Sequence, residues 1–132
     1  MNKGETDITL LLKSMKPVLN EGEYVFCTVE ESEVVDRSDP VAFFKEKEGT
    51  TIVIEKSAAD KMNLTYSFVS SWITLSVHSS LEAIGLTAAF SNALSDAGIS
   101  CNVIAAYYHD HIFVPVNDKQ RAMEVLTRLS QQ

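Results

Sequence analysis

Apolar and polar residues follow a regular order in the second half of the chain. Between positions 71 and 77 they alternate, which is typical of a strand, and between 86 and 97 apolar residues recur every three or four positions, which predicts a helix ending at Gly98. The predicted elements are a strand at 71–77, a helix at 81–97, strands at 101–108 and 111–116 in a hairpin around His109-Asp110, and a helix capped by Asn117 or Asp118. This β-α-β-β-α order is one strand short of a ferredoxin-like β-α-β-β-α-β unit.

The first half shows the same two periodicities less clearly. The run Ser38-Asp39-Pro40 predicts a helix start, because a polar cap precedes proline at the first helical position. That helix would place Phe43 and Phe44 on an apolar stripe and end at Gly49. The other predicted elements are a helix after Thr6, an extended segment at 16–19, strands at 23–29, 50–55 and 66–69, and a short helix from Ser57. We expect this half to supply the strand that the second half lacks, so that one continuous sheet runs through both.

Composition and charge narrow the class of protein. The 132 residues fit one domain, or two very small ones that share a core. A net charge of −7 argues against a nucleic-acid partner, since a surface that follows phosphates needs excess Lys and Arg. No apolar run reaches the length of a membrane span, and the first residues lack the apolar core of a signal peptide, so we expect a cytoplasmic protein. Cys27 and Cys101 lie in apolar runs, which predicts buried, reduced thiols.

From Ile73 to Leu129 the sequence resembles the ACT domain, a small-molecule-binding regulatory module of ferredoxin-like fold. The resemblance rests on ITLSV and on LEAIGLTAAFSNALSDAGISCNVIAAYYHDHIFVPV, in which Gly85 opens a helix and Ala97-Gly98-Ile99 closes it. The earlier segment PVLNEGEYVFCTV is similar to the partner domain of tandem ACT proteins. The resemblance implies an α+β fold of two ferredoxin-like modules, at 1–69 and 70–132, that share or pair an antiparallel sheet. It also implies a non-enzymatic regulatory protein without cofactor, and a homodimer.

The resemblance also implies where a ligand would bind. In ACT domains small effectors, often amino acids, sit near the turn between the first strand and the first helix. The ligand-binding residues implied here are Val77, His78, Ser79, Ile84, Gly85 and Leu86 at that turn, with Cys101 and Asn102 as the other wall. A helix N-terminus suits a carboxylate, because its N–H groups are unpaired and its dipole is positive there.

Each of these residues also has a structural explanation. Ser79 or Ser80 can simply cap the helix, Gly85 can simply pack against a strand, and Asn102 can satisfy a turn. Many ACT domains carry Asp and then Pro-Gly at this turn, whereas this chain has His78 after the strand and Ile84 before the glycine. That departure leaves open a second hypothesis, a ligand-free module that mediates oligomerisation.

Other residues suggest catalysis or metal binding only weakly. His109 and His111 could share a strand face and hold zinc, yet His78 is the one further histidine, and a hairpin turn explains the segment, so we predict no metal site. A Cys101–His78 nucleophile pair would make the chain a small enzyme, but no basic residue lies near Cys101 in sequence. We therefore predict no catalytic residues. Trp72 and the tyrosines at 107 and 108 either line a pocket or pack against helices.

Overall fold

Seven strands form one antiparallel sheet in the computed structural model, which describes residues 8–30, 39–76 and 85–131. In chain order the elements are α1 (Ile8–Ser14), β1 (Lys16–Leu19), β2 (Tyr24–Val29), β3 (Ala42–Lys45), β4 (Thr50–Glu55), α2 (Lys56–Lys61), β5 (Val69–Ser76), α3 (Leu86–Asp96), β6 (Asn102–Ala105), β7 (Asp110–Pro115) and α4 (Lys119–Ser130). A short 3₁₀ turn at Val116–Asp118 precedes α4. Thr6, the predicted cap of α1, lies outside the described residues.

The strand β5 joins the two halves of the chain. The strand order is β3-β4-β2-β5-β7-β6, and β1 pairs with β5 beside this path. Along the edge of β5 that faces away from β7, β1 pairs with residues 73–76 and β2 pairs with Val69 and Ser70. The predicted continuous sheet is therefore confirmed, and β1 takes the position of the strand that the second half lacks.

The described helices pack on one face of the sheet over two apolar cores. In the larger core, α1, α3 and α4 cover β5 and β7, and Phe90 and Leu126 are fully buried. In the smaller core, α2 covers β2 and β4, and Ala59 is fully buried. The apolar stripe predicted for α3 is confirmed, and the apolar residues of α4 also face these strands.

The opposite face of the sheet carries a third apolar cluster, in which Tyr24, Val53 and Phe113 are buried. Ala42 on β3 and Ile104 on β6 both pack against it, although β3 and β6 are the two ends of the six-strand path. In a flat sheet five strand spacings would separate them, on the order of 24 Å. The sheet therefore curls, and this face is concave.

The prediction of a helix that starts at Ser38-Asp39-Pro40 is wrong. Residues Ala42–Lys45 form the edge strand β3, which pairs with β4. Phe43 and Phe44 are 47% and 68% exposed, so they are not core residues as the helical stripe implied. The proline signal misled because proline is also tolerated at the start of an edge strand. Pairing with β4 then decided the conformation, since strand formation depends on neighbours more than on local propensity.

Several predicted boundaries move by a few residues. The β6–β7 turn closes between Ala106 and His109, whose N–H and carbonyl oxygen are 3.0 Å apart, so it begins before the predicted His109-Asp110 turn. The strand predicted at 66–69 begins only at Val69. Asp118 stands at the N-cap of α4 as predicted, but its carboxylate makes no capping hydrogen bond and instead pairs with Arg121 at 3.1 Å.

Candidate ligand site

The turn predicted to bind a ligand is described only at its helical end. Val77, His78, Ser79 and Ile84 lie outside the described residues. Gly85 immediately precedes α3, and its carbonyl oxygen accepts the N–H of Ala89 at 2.8 Å, the first bond of that helix. The N–H groups of the first helical turn point back past Gly85 and need partners from outside the helix. This end of α3 is therefore suited to a carboxylate.

Backbone conformation accounts for the glycine at position 85. Its φ is +97°, in the left-handed region where a side chain is strained. A Cβ at this position would meet Cδ1 of Ile8 at 3.9 Å, which is an ordinary contact. Close packing therefore does not require glycine here, whereas the turn geometry does.

The described residues of the first predicted wall, Gly85 and Leu86, stand at the opposite end of α3 from Cys101 and Asn102. Gly85 precedes α3 and Cys101 follows it, and a helix of 11 residues is about 16 Å long. Leu86 and Cys101 both pack in the larger core. Asn102 is exposed and stands opposite Phe113, so it lies on the concave face, away from Leu86.

Cys101 is half-buried and packs against the larger core, whereas Cys27 is buried as predicted. Burial raises the pKa of Cys101 to about 11, so the thiol is protonated near neutral pH. Burial also raises the pKa of Cys27. A thiolate is the nucleophilic form, and neither environment favours it.

A chain of polar side chains lies on the concave face, and the sequence did not reveal it. Nε1 of Trp72 donates to Nδ1 of His111 at 3.0 Å. Oγ1 of Thr74 lies 3.1 Å from the same nitrogen, and Nδ2 of Asn20 donates to Oγ1 of Thr74 at 3.0 Å. An indole N–H can only donate, so Nδ1 accepts and the neutral ring carries its proton on Nε2. Period-two spacing placed Trp72 and Thr74 on one face, but only strand register brings His111 beside them.

The histidine pair at 109 and 111 does not form a metal centre in the part of the chain that the structure describes. The ring centroids are 6.4 Å apart, and no group of three or more His, Cys, Asp or Glu side chains that could hold a metal occurs among the described residues. Nδ1 of His111 is already occupied by Trp72. Burial, and secondarily the nearby His109, lower the pKa of His111, which favours the neutral ring.

The continuous antiparallel sheet with helices on one face defines a pair of ferredoxin-like modules. The chain belongs to the ACT-domain family. One ACT-domain family model matches residues 3–71 and a second matches residues 67–128. The two matches overlap at the start of β5, the strand that pairs with both halves. ACT domains are commonly regulatory ligand-binding modules.

Several solved structures are similar to this chain. A protein of unknown function from Vibrio cholerae, described as a possible transport protein, is 49% identical over 92% of this chain and 94% of its own, with a TM-score of 0.80. A putative C-terminal regulatory domain of aspartate kinase from Porphyromonas gingivalis is 14% identical, covers 89% of this chain and 98% of its own, and has a TM-score of 0.60.

An aspartate kinase from Clostridium acetobutylicum, described as an allosteric enzyme, is 11% identical, with a TM-score of 0.62. The match covers 86% of this chain and 34% of the kinase. At these identities the two kinase structures show the fold alone. A comparison with curated proteins gave no match. No helix in the described ranges is long and apolar enough to cross a membrane.

Proposed function

We propose that this protein is a non-enzymatic regulatory protein that binds an amino acid and acts in the cytoplasm. The observation that carries the proposal is the pair of ACT-type modules built on one sheet, because ACT domains are commonly regulatory and bind small molecules. The ligand would lie at the turn 77–86, where the amides at the start of α3 hold its carboxylate.

The described end of this turn supports that placement. Gly85 is exposed and carries no side chain, so a ligand can approach the backbone closely. Leu86 is buried directly behind it in the larger core, which keeps the first turn of α3 in place. A preorganised set of N–H donors loses little freedom when a carboxylate binds, and this favours affinity.

The proposed regulation acts through association between two copies of the chain. The second predicted wall, at Cys101 and Asn102, lies about one helix length from Gly85 within a chain. A partner copy would therefore close the pocket. A ligand held between two copies binds the dimer better than the monomer, so it shifts the equilibrium toward the dimer.

Calorimetry against the common amino acids at millimolar concentration tests binding. Two variants separate the site from general stability. Gly85→Ala and Gly98→Ala both place a side chain at positive φ, at +97° and +75°, so they carry similar backbone strain at opposite ends of α3. Gly85→Ala should lose the binding heat, and Gly98→Ala should keep it.

The same samples test the regulatory step. Sedimentation with and without the ligand should show a larger dimer fraction when the ligand is present. If no amino acid gives heat and the chain is nevertheless dimeric, the amino-acid proposal fails and the ligand-free interaction module takes its place. Equal binding by both glycine variants would move the ligand away from the start of α3.

A further inference from the structure

The concave face of the sheet holds a cleft far from the turn at Gly85. Two neighbouring hollows, of about 260 and 220 Å³, share the side chains of Ala42, Phe43 and Ile104 as walls. These residues come from β3 and β6, the two edges that the curl of the sheet brings together. The described helices all pack on the other face, so in the described part of the chain no helix fills this space.

The floor of the cleft is aromatic and fixed by its own packing. The rings of Phe26 and Phe113 meet edge to face at 5.4 Å, and Trp72 lies nearly parallel to Phe113 at 6.2 Å. Tyr24 meets the edge of Trp72 at 5.3 Å and anchors its hydroxyl on the carbonyl oxygen of Glu21. Such contacts hold each ring in one orientation, so the floor presents flat apolar surfaces for a further ring.

Two polar groups stand at separate places in this apolar cleft. His111 lines one hollow, with Nδ1 held by Trp72 and the proton on Nε2. Glu46 lines the other hollow, where its carboxylate accepts a hydrogen bond from the hydroxyl of Thr51. No Lys or Arg is among the described residues that line either hollow. Glu46 is therefore the one formal charge among the described lining residues, and Lys45 and Lys47, which flank it in the chain, do not line either hollow.

Size and charge together define a ligand class. Each hollow is smaller than the roughly 300–1,000 Å³ of a typical drug-sized site, so it fits one or two rings. Aromatic walls favour a flat ring, and they also attract a cation over their faces. A carboxylate with no basic neighbour in the lining favours an ammonium group and disfavours an anion.

We propose that this cleft is a second ligand site, which binds a small aromatic amine. The ring lies against Phe26 in the hollow that Glu46 lines, and the ammonium group pairs with Glu46. This site goes beyond the amino-acid site proposed at the start of α3, and it shares no residue with it.

Trp72 is the only tryptophan of the chain and lines the neighbouring hollow, which shares Ala42, Phe43 and Ile104 with the hollow of Glu46, so its emission should respond to occupancy of the cleft. Three phenyl probes of similar size differ in charge: phenethylamine is a cation, phenethyl alcohol is neutral and phenylacetate is an anion. Titrations by Trp72 emission and by calorimetry should rank the amine first, about fivefold tighter than the alcohol, as expected for a partly exposed ion pair. Phenylacetate should bind weakest.

Three variants locate the site. Glu46→Gln should remove the fivefold preference for the amine, while Glu48→Gln, an exposed neighbour outside the lining, should keep it. Ala42→Phe fills the wall shared by both hollows and should abolish binding of all three probes. Circular dichroism checks that this variant folds, and the Glu46 pair decides the question if it does not.

Several results would overturn the proposal. Phenylacetate binding as tightly as phenethylamine would contradict the charge argument. No change in Trp72 emission and no heat with any probe would contradict the site itself. Gly85→Ala should leave phenethylamine affinity unchanged, so a loss there would mean that the amine binds at the start of α3 instead. Failure of amino-acid binding with intact amine binding would reject the proposed function alone.

Discussion

Replacing Ser70 by alanine tests how firmly β2 is joined to β5 at the centre of the sheet. Ser70 is fully buried on β5, and its hydroxyl donates to the carbonyl oxygen of Tyr24 on β2 at 2.7 Å. The ladder between β2 and β5 contains only the pairs Tyr24–Ser70 and Val25–Val69. One side-chain hydrogen bond therefore adds appreciably to the short ladder between β2 and β5, while β1 pairs with β5 separately.

The expected magnitude follows from burial and hydrogen bonding. A buried hydrogen bond of this kind contributes about 1 kcal/mol, because folding exchanges a bond to water for one within the protein. Water cannot replace the lost hydroxyl at a site that is 0% exposed. We therefore expect Ser70→Ala to lower the free energy of unfolding by about 1 kcal/mol, within a range of about 0.5–1.5. For a domain of this size that is about 4 °C in Tm.

Urea denaturation provides the measurement, followed by Trp72 emission and by far-UV circular dichroism. Ser57→Ala is the matched control: Ser57 is exposed in α2 and its hydroxyl donates to Glu55 at 3.2 Å, so that change should stay below about 0.5 kcal/mol. Because both halves share β5, the two signals should coincide in the wild-type protein. A shift for Ser70→Ala no larger than the control, or two separate transitions in the wild type, would refute the reasoning.

Three further predictions concern single groups. Burial lowers the pKa of His111 in the folded protein. The neutral ring therefore contributes fully to the free energy of unfolding above about pH 6.5, and this contribution is lost as the pH falls through the lowered pKa of the folded state. The urea midpoint should fall as the pH is lowered, and it should fall less for His111→Asn. Trp72 emission should change over the same pH range, because protonation of His111 removes the acceptor of the indole N–H. Cys27 and Cys101 should react slowly with a disulfide reagent near neutral pH and rapidly in denaturant, since burial raises both pKa values. Rapid reaction of the native protein would contradict this. Gly98→Ala should lower the free energy of unfolding by about 1 kcal/mol, because a side chain is strained at φ +75°. Gly98→Asn should lower it less, because asparagine tolerates that conformation, so equal urea midpoints for the two variants would contradict the prediction.

Local patterns were sufficient where one residue type dictates one conformation. The apolar stripe of α3 and the glycine after it correctly predicted a helix that buries Phe90 and ends before Gly98. The alternation in β5 correctly predicted Ile73 and Leu75 as one buried face. In these segments the conformational propensities, the apolar periodicity and the terminating glycine all favour the same structure, so contacts with neighbouring elements did not change it.

The same patterns failed where pairing between distant segments decided the outcome. The signal at Asp39-Pro40 fits either a helix or an edge strand, and only the partner β4 selects the strand. The hydrogen bond between Trp72 and His111 spans 39 positions, so no local spacing could predict it. The cleft depends on Ala42 and Ile104 meeting across a curled sheet, which is a property of the whole topology.

The sequence by itself determined the family, the ferredoxin-like plan and the need for a strand from the first half. The reason is that helix stripes, strand alternation and glycine stops act over a few residues, where side-chain chemistry is sufficient. Tertiary structure alone decided that β1 is the completing strand, that β5 belongs to both halves and that the sheet curls. These features depend on ladder partners and on the twist of a whole sheet, and those energies come from residues far apart in the chain.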